Sequence, residues 1–487
     1  MTEVSEIREK IKETKSIMSK IDHMDKDSVT VPELSWLLFL KVFDYHEKQR
    51  VALIKNYKTI LPEECQWDSW AGDQFKGYTG KELELFVDNV LLDKLSKLTG
   101  DKNNRNIDIV NSIFNGFQYM LHNGTKLRQV INKLNEIKLE NSNDLENLGV
   151  VYDEELIKMR DSEKKNASFY TPRPIIRFII NKINPNLKKS EKVIDLASGT
   201  SGFLVESIKY MKKDVKGKED EKLLDTLLSG NEKKLRNYRL GMLNMMLLNV
   251  GTPNILNKNT LATTKIRDIV TDDQKYDVIM TNPTFDEKEE KETGDNLPRH
   301  LKTSDAALHF LYFAMKSLKE NGRCAIILPN GPLFGDSGVV AEIKKELLEK
   351  YNLHTIVRLA GSEFEPYNGI QTNILFFDEG KPTTDIWFYR MKIREGIKKY
   401  SMNNPIQDSD FDEVLKWCKN KEANDYGWKV SVNDLKNYNL DLSHPDDVEV
   451  SIDMSPHELI AQIISDEKKT LELLTDVENL INQEIPK

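Results

Sequence analysis

The spacing of apolar residues changes character part-way along the chain. Up to about residue 155 it is helical. Leu34-Ser35-Trp36-Leu37-Leu38-Phe39-Leu40-Lys41-Val42-Phe43 is apolar nearly all round, which predicts a helix buried in a bundle. Leu83 to Leu98 and Ile107 to Leu121 carry apolar residues at helical spacing. Asp161 to Asn166 is charged and polar and reads as a linker. From about residue 167, short apolar runs alternate with helix-length segments. The runs Val193 to Leu196, Tyr276 to Met280, Cys324 to Leu328, Thr355 to Leu359 and Asn373 to Phe377 predict strands. Helices are expected over Gly202 to Met211, Ala306 to Leu318 and Val340 to Tyr351, and a further one is expected to open at Asn231-Glu232, with Asn231 as N-cap, and to end at Gly251. Strands separated by helices imply an α/β fold with a parallel sheet wound on both sides.

Beyond about residue 400 the pattern is hard to read until the end. Ser455-Pro456-His457-Glu458 is a capping box with proline in the first helical turn. Leu459, Ile460, Ile463, Ile464, Leu471, Leu474, Val477, Leu480 and Ile481 then form an apolar stripe, to be buried on the same domain or on a partner. The expected division is a helical domain over residues 1–160, an α/β domain over 161–400, and a C-terminal region over 401–487 ending in a partner-binding helix.

A chain of 487 residues is too long for one core, in keeping with that division. No run approaches the roughly 18 apolar residues of a membrane span, and the charged N-terminus lacks the apolar centre of a signal peptide. The cysteines Cys65, Cys324 and Cys418 are too far apart for a disulfide framework or a zinc site. A cytoplasmic location is expected. A protein that grips a phosphate backbone alone is usually basic, so the net charge of −9 argues against a self-sufficient DNA reader. Either a local basic surface or a partner must supply that contact.

Two loops carry the chemistry. Asp195-Leu196-Ala197-Ser198-Gly199-Thr200-Ser201-Gly202-Phe203-Leu204 follows the first predicted strand, and Asn282-Pro283-Thr284-Phe285 follows the Tyr276 strand. Loops at the carboxyl ends of neighbouring parallel strands face one crevice, where open α/β sheets bind ligands. The first loop sets two glycines three apart, which is neither the dinucleotide fingerprint nor a phosphate loop, and no phosphate loop occurs elsewhere. ATP hydrolysis therefore drops out of the leading options. Glu232, in the next strand–helix unit, has the acceptor sites to bind both hydroxyls of a ribose; by itself it is equally an acid favoured in a first helical turn. In the second loop, the Asn282 side-chain oxygen and the Pro283 carbonyl can accept both hydrogens of an exocyclic amine. Phe285 offers a stacking face, worth about 1–3 kcal/mol per base. A duplex base must be flipped out to reach such a pocket. Alone, each loop is also readable as a simple turn; their order on strand ends favours methyl transfer to a base nitrogen. That reaction needs positioning more than acid–base groups, and no Pro-Cys nucleophile for cytosine carbon methylation is present.

On these motifs the chain resembles the modification (M) subunit of type I restriction–modification systems, the S-adenosylmethionine-dependent DNA adenine-N6 methyltransferases. Leu37 to Lys41 resembles the family's N-terminal helical domain, and Phe169-Tyr170-Thr171-Pro172-Arg173 its motif contacting the methionine part of the cofactor. Asp195 to Leu204 resembles its glycine loop and Gly230-Asn231-Glu232 its ribose-binding acid. Leu328-Pro329-Asn330-Gly331-Pro332-Leu333-Phe334 and Gln371 to Phe377 are similar to later family segments. The resemblance implies a Rossmann-like methyltransferase domain between a helical bundle and a helical tail. It implies cofactor contacts from Tyr170, Thr171, Pro172, Asp195, Ala197, Gly199, Thr200, Gly202, Phe203, Glu232 and Asn259, with Asn282, Pro283 and Phe285 as catalytic residues. It further implies double-stranded DNA as substrate, in a prokaryotic cytoplasm, and three protein partners: a specificity (S) subunit, a second M copy and an ATP-dependent restriction (R) subunit.

The chain departs from the family pattern in several places. Thr284 stands for a proline, Leu196 and Ser201 stand for proline and glycine, and Asp286-Glu287 replaces glycines. Lys258-Asn259 stands where the family often has Gly-Asp, turning the usual adenine-binding acid into an amide. These changes leave two alternatives open: a weakened or inactive subunit that only assembles with the specificity subunit, and methylation of a glutamine side-chain amide.

Overall fold

The computed structural model describes residues 3–484 apart from 73–76, 102–103, 163–169, 264–274, 284–292, 294–295, 336–337, 363–370 and 448–455. The chain divides into two compact units, Met1–Leu442 and Ser443–Lys487.

In the first unit one sheet is built from nine strands among the described residues: β1 Val193–Asp195, β2 Leu228–Glu232, β3 Asn254–Asn257, β4 Tyr276–Thr281, β5 Leu318–Pro329, β6 Tyr351–Arg358, β7 Thr372–Glu379, β8 Asp385–Arg390 and β9 Gly427–Ser431. Their order is β3-β2-β1-β4-β5-β7-β6-β8-β9. β1 to β5 are parallel, as the alternation predicts. β7 is antiparallel to both β5 and β6, and β9 is antiparallel to β8, which corrects the expectation of an all-parallel sheet. Adjacent antiparallel strands such as β6 and β7 need no crossover helix, so strand–helix alternation could not reveal them. β9 also continues the sheet beyond residue 400.

Successive strand residues feed opposite faces, the period-two rule of a pleated strand. Val193, Val278, Met280, Ala325, Ile327, Ile374 and Phe376 enter one core. Ile194, Ile279, Cys324, Ile326, Leu328, Leu375 and Phe377 enter the other, under helices Ala306–Lys316 and Gly338–Lys350. The first core runs without a break into the N-terminal helices. There, helix Asp27–Leu53 buries nearly every side chain from Thr30 to Phe43, as the all-round apolar run predicts. Polar contacts tie these helices to the sheet region. Arg50 Nη2 donates to the Gly251 carbonyl at 2.5 Å, Arg105 Nη2 to that of Ile255 at 3.2 Å, and Arg239 Nε to that of Ile113 at 2.7 Å.

Some local expectations are corrected. Leu83 to Leu98 is helical as far as Leu95, with a π-turn over Val87–Leu91 between Gly80–Phe86 and Leu92–Leu95, whereas the helix in Ile107 to Leu121 ends at Phe114. Asn231 and Glu232 end β2, and the helix begins at Leu235. Pairing with strands on both sides holds Leu228–Glu232 extended, overriding the local capping signal. That helix stops at Met246, before Gly251, and Asn249 adopts the left-handed φ of +65° just beyond it.

The second unit contains helix Pro456–Glu484. Of its expected stripe, Ile460, Ile463, Ile464, Leu471 and Leu474 are exposed. Ser455 and the side chains of Leu459, Val477, Leu480 and Ile481 lie outside the described residues.

Candidate active site between β1 and β4

The chain runs from β1 outward to β2 and β3, then returns to lay β4 on the other side of β1. This reversal opens a crevice at the carboxyl ends of β1 and β4, where doubly wound sheets bind ligands. A crevice open to solvent lies there, bounded by both loops and by Tyr170, Thr171 and Glu232, with about 740 Å³ of empty space counting its open mouth.

The β1 loop is held by its own polar groups. Asp195 is buried, and its Oδ1 accepts the Ala197 N–H at 3.1 Å and the Thr281 hydroxyl at 2.9 Å. Burial pushes its carboxyl up to about 7, and the nearby Glu232 adds to the shift. Gly199 turns the chain with a φ of +53°, the region that favours glycine. Ser201 takes a φ of +67°, the angle that glycine takes more freely. Gly241 makes room for it, since a Cβ there would lie 2.4 Å from Ser201 Oγ. Gly202 is glycine for space: a Cβ would lie 2.2 Å from Arg173 Nη1. Glu232, at the end of β2, accepts the Gly199 N–H at 2.8 Å and the Lys234 N–H at 2.7 Å, which locks the first loop to the second strand unit.

The other wall is different. Asn282 follows β4, and its Nδ2 donates to Thr171 Oγ1 at 2.9 Å across 111 residues of sequence. Its Oδ1 is buried and has no hydrogen-bond partner among the described residues. Tyr170, beside Thr171, lies against the guanidinium groups of Arg160 at 4.7 Å and Arg173 at 5.3 Å from its ring centre. Burial drives its hydroxyl up to about 12.

Of the expected cofactor residues, Tyr170, Thr171, Asp195, Ala197, Gly199, Thr200, Gly202, Phe203, Glu232 and Asn259 all line the cavity, as does Asn282. Pro172 does not; its carbonyl instead accepts the Ile175 N–H at the start of helix Arg173–Ile183. Pro283 is buried and is also absent from the lining. Phe285, with Thr284, Asp286 and Glu287, lies outside the described residues. Asn259 Oδ1 accepts the Leu261 N–H at 3.0 Å, so part of its acceptor capacity is used locally. Lys233, Lys234, Lys258 and Phe310 also line the cavity and were not foreseen. Lys258 stood in the sequence as a departure beside Asn259. Phe310 had no signal of its own, being one apolar residue of a buried helix. Among the described residues no helix is long and apolar enough to cross a membrane, and no cluster of ligands for a metal ion occurs.

Comparison with known proteins agrees with this geometry. Residues 143–453 match the family described as N-6 DNA Methylase, and residues 7–134 match the HsdM N-terminal domain. The chain is 38% identical over 484 residues to the type I restriction enzyme EcoEI methylase subunit of Escherichia coli, covering 97% of this chain and 96% of that one. It is 25% identical to the EcoKI methylase subunit of E. coli K12 over 78% of this chain and 70% of the other. A solved modification subunit ascribed to a type I restriction enzyme from Vibrio vulnificus YJ016 superposes with a TM-score of 0.80 at 35% identity, over 92% of this chain and 98% of that one. A second solved chain, from work on assembly and conformational transition of the type I R-M system, gives 0.82 at 32% identity over 98% of both chains. The α/β architecture with a helical N-terminal part, the two-loop crevice and these matches agree, and the chain belongs to the N-6 DNA methylase family, among the methylase subunits of type I restriction enzymes.

Proposed function

We propose that this chain transfers a methyl group from S-adenosylmethionine to adenine N6 in double-stranded DNA, as the modification subunit of a type I restriction–modification complex, and that the crevice between β1 and β4 is where it does so. The observation that carries the site assignment is the buried, unpartnered Oδ1 of Asn282 in the same cavity as Gly199 and Glu232. A buried acceptor without a donor costs free energy, about 1–3 kcal/mol. An exocyclic amine supplies the missing donor.

The lining fits the cofactor. Glu232 brings to the cavity a carboxylate, whose oxygens are acceptors suited to ribose hydroxyls. Asp195 and Glu232 bring carboxyl groups to a cavity meant for a cationic sulfonium. When bound, S-adenosylmethionine supplies an electrophilic methyl group. Everything else falls to the protein. Thr171 orients the Asn282 amide, Asn282 Oδ1 and the Pro283 carbonyl accept hydrogen bonds from the two amine hydrogens, and Phe285 stacks on the extruded base. Holding the amine in line with the methyl group supplies the acceleration, and the proton that the methylated nitrogen sheds passes to water, so no general base is required.

Residues 1–160 and 401–487 serve assembly in this reading. The acidic balance then makes sense, because a specificity subunit and a second M copy share the grip on DNA and the R subunit joins for cleavage. Removing residues 456–487 should leave cofactor binding intact and abolish capture by the specificity subunit.

The test of the reaction uses the full chain, its neighbouring subunits, duplex DNA and a methyl donor carrying a deuterated methyl group. Mass spectrometry should find the label in N6-methyladenine. Label in a protein glutamine amide, or none in DNA, would overturn the proposal.

A further inference from the structure

Strand β5 runs past β4 at the rim of the crevice. Their last paired residues are Thr281 and Ile326, and Pro329 lies three residues further on, about 10 Å at the rise of a strand. The short helix Asn330–Phe334 follows, so it begins beyond the strand end that leads into Asn282, on the adjacent parallel strand. Phe334 closes this helix and is 65% exposed; no other Phe, Tyr or Trp among the described residues is so exposed. Its neighbours are treated in the opposite way. Pro332 and Leu333 are buried. Lys344 is 1% exposed, and its Nζ donates to the Leu333 carbonyl at 2.7 Å and to the Gly335 carbonyl. One buried ammonium thus holds the carbonyls on both sides of Phe334. The Leu333 carbonyl also accepts the Leu440 N–H at 3.0 Å. Gly335 has no room for a side chain, since a Cβ there would lie 2.8 Å from Val340 Cγ1. At the start of the helix, Asn330 donates to Gln371 Oε1 at 3.2 Å and accepts from Asn373 Nδ2 at 2.6 Å.

A lone exposed apolar side chain is ordinary. A buried ammonium is not, because taking it out of water is costly unless hydrogen bonds offset the loss. Here that ammonium, a packed turn and an amide network all fix the backbone around one ring, and the ring alone is left in water. Such a ring is pre-organised for contact, since little order remains to be imposed when something binds it. Its place on the carboxyl edge of the sheet, beside Asn282, says what binds. On the methyltransferase reading above, on which this inference rests, a base stack with one adenine withdrawn faces this edge. Extrusion leaves a gap and unstacks the neighbouring pairs. Apolar side chains inserted between base steps fill such gaps, and an aromatic ring stacks on any base. We infer that Phe334 enters the DNA helix at the place the target adenine leaves and holds the extruded state open.

The test uses the assembled complex with S-adenosylhomocysteine and a duplex bearing its methylation site, with 2-aminopurine in place of the target adenine. The fluorescence of 2-aminopurine rises when the base leaves the stack. Wild type should raise it strongly. Phe334→Ala should lower the extrusion equilibrium by about tenfold to a hundredfold, the range of one stacking contact, and Phe334→Trp should keep most of it. With unsubstituted DNA and S-adenosylmethionine, Phe334→Ala should slow methylation by a similar factor. A duplex with an abasic site opposite the target adenine, where extrusion breaks no base pair, should restore the rate. Unchanged S-adenosylhomocysteine affinity shows that the variants are folded. Equal extrusion by wild type and Phe334→Ala, or a defect that persists on the abasic duplex, would overturn the inference. So would loss of the specificity subunit from the Phe334→Ala complex on gel filtration, which would make Phe334 a contact between subunits. Absence of N6-methyladenine with wild type is a separate failure: it overturns the methyltransferase reading, and this inference with it.

Discussion

The two walls of the crevice treat their polar groups in opposite ways. On the β1 wall Asp195 and Glu232 are buried yet supplied with backbone or hydroxyl donors. On the β4 wall Asn282 has one half of its amide fixed by Thr171 and the other half left without a donor. A satisfied wall is rigid before its ligand arrives, which suits a methyl donor that must bind in one fixed pose. An unsatisfied acceptor is strained until a donor comes, which suits a base that visits briefly and must be held in one orientation.

Variants can break this contrast. The largest effect belongs to Asn282→Ala, which should lower turnover by about 10²–10³-fold, as when one pre-positioned polar group is lost from a reacting centre, with cofactor affinity nearly unchanged. Turnover under saturating cofactor and DNA, beside a calorimetric titration, checks both halves; normal turnover would remove Asn282 from the mechanism. Glu232→Ala should do the reverse and weaken cofactor binding by about 10–100-fold while turnover at saturation changes little. Gly202→Ala tests the rigidity of the satisfied wall, because the added methyl collides with Arg173; an overpacking cost of about 1–3 kcal/mol is expected in a denaturant titration.

The last effect is spread over a range of pH and concerns Asp195. Its carboxyl titrates at about 7 in the fold, against about 3.9 in an unfolded chain. Between those values the folded state binds more protons than the unfolded one, so stability falls as pH rises through the window. The slope from this group is at most about 1.4 kcal/mol per pH unit. Asp195→Asn should flatten that part of the stability curve, and an unchanged curve would show that Asp195 is already ionised below the window.

The legibility of the fold followed physical range. Runs such as Val193-Ile194 and Val278 to Met280 announced strands because neighbouring residues face opposite cores. Helix Asp27–Leu53 announced its burial because an all-round apolar surface has no exposed alternative. The Leu228–Glu232 strand was misread, since Asn231-Glu232 is locally a helix start and only pairing on both sides makes it extended. The terminal helix shows the limit of periodicity: a stripe tells that a face is to be covered, while Ile463 and Ile464 stand exposed in the chain by itself.

The sequence by itself determined the two loops and their order on strand ends, because these are properties of short segments. Only the tertiary structure decided that Thr171 fixes the Asn282 amide, that Arg173 fills the space above Gly202, that Phe310 and Lys258 join the cavity, and that Arg239 lies over the Phe117 ring. Each of these is a contact between segments far apart in the chain. Such contacts are set by how helices and strands pack, which no local pattern of residues encodes.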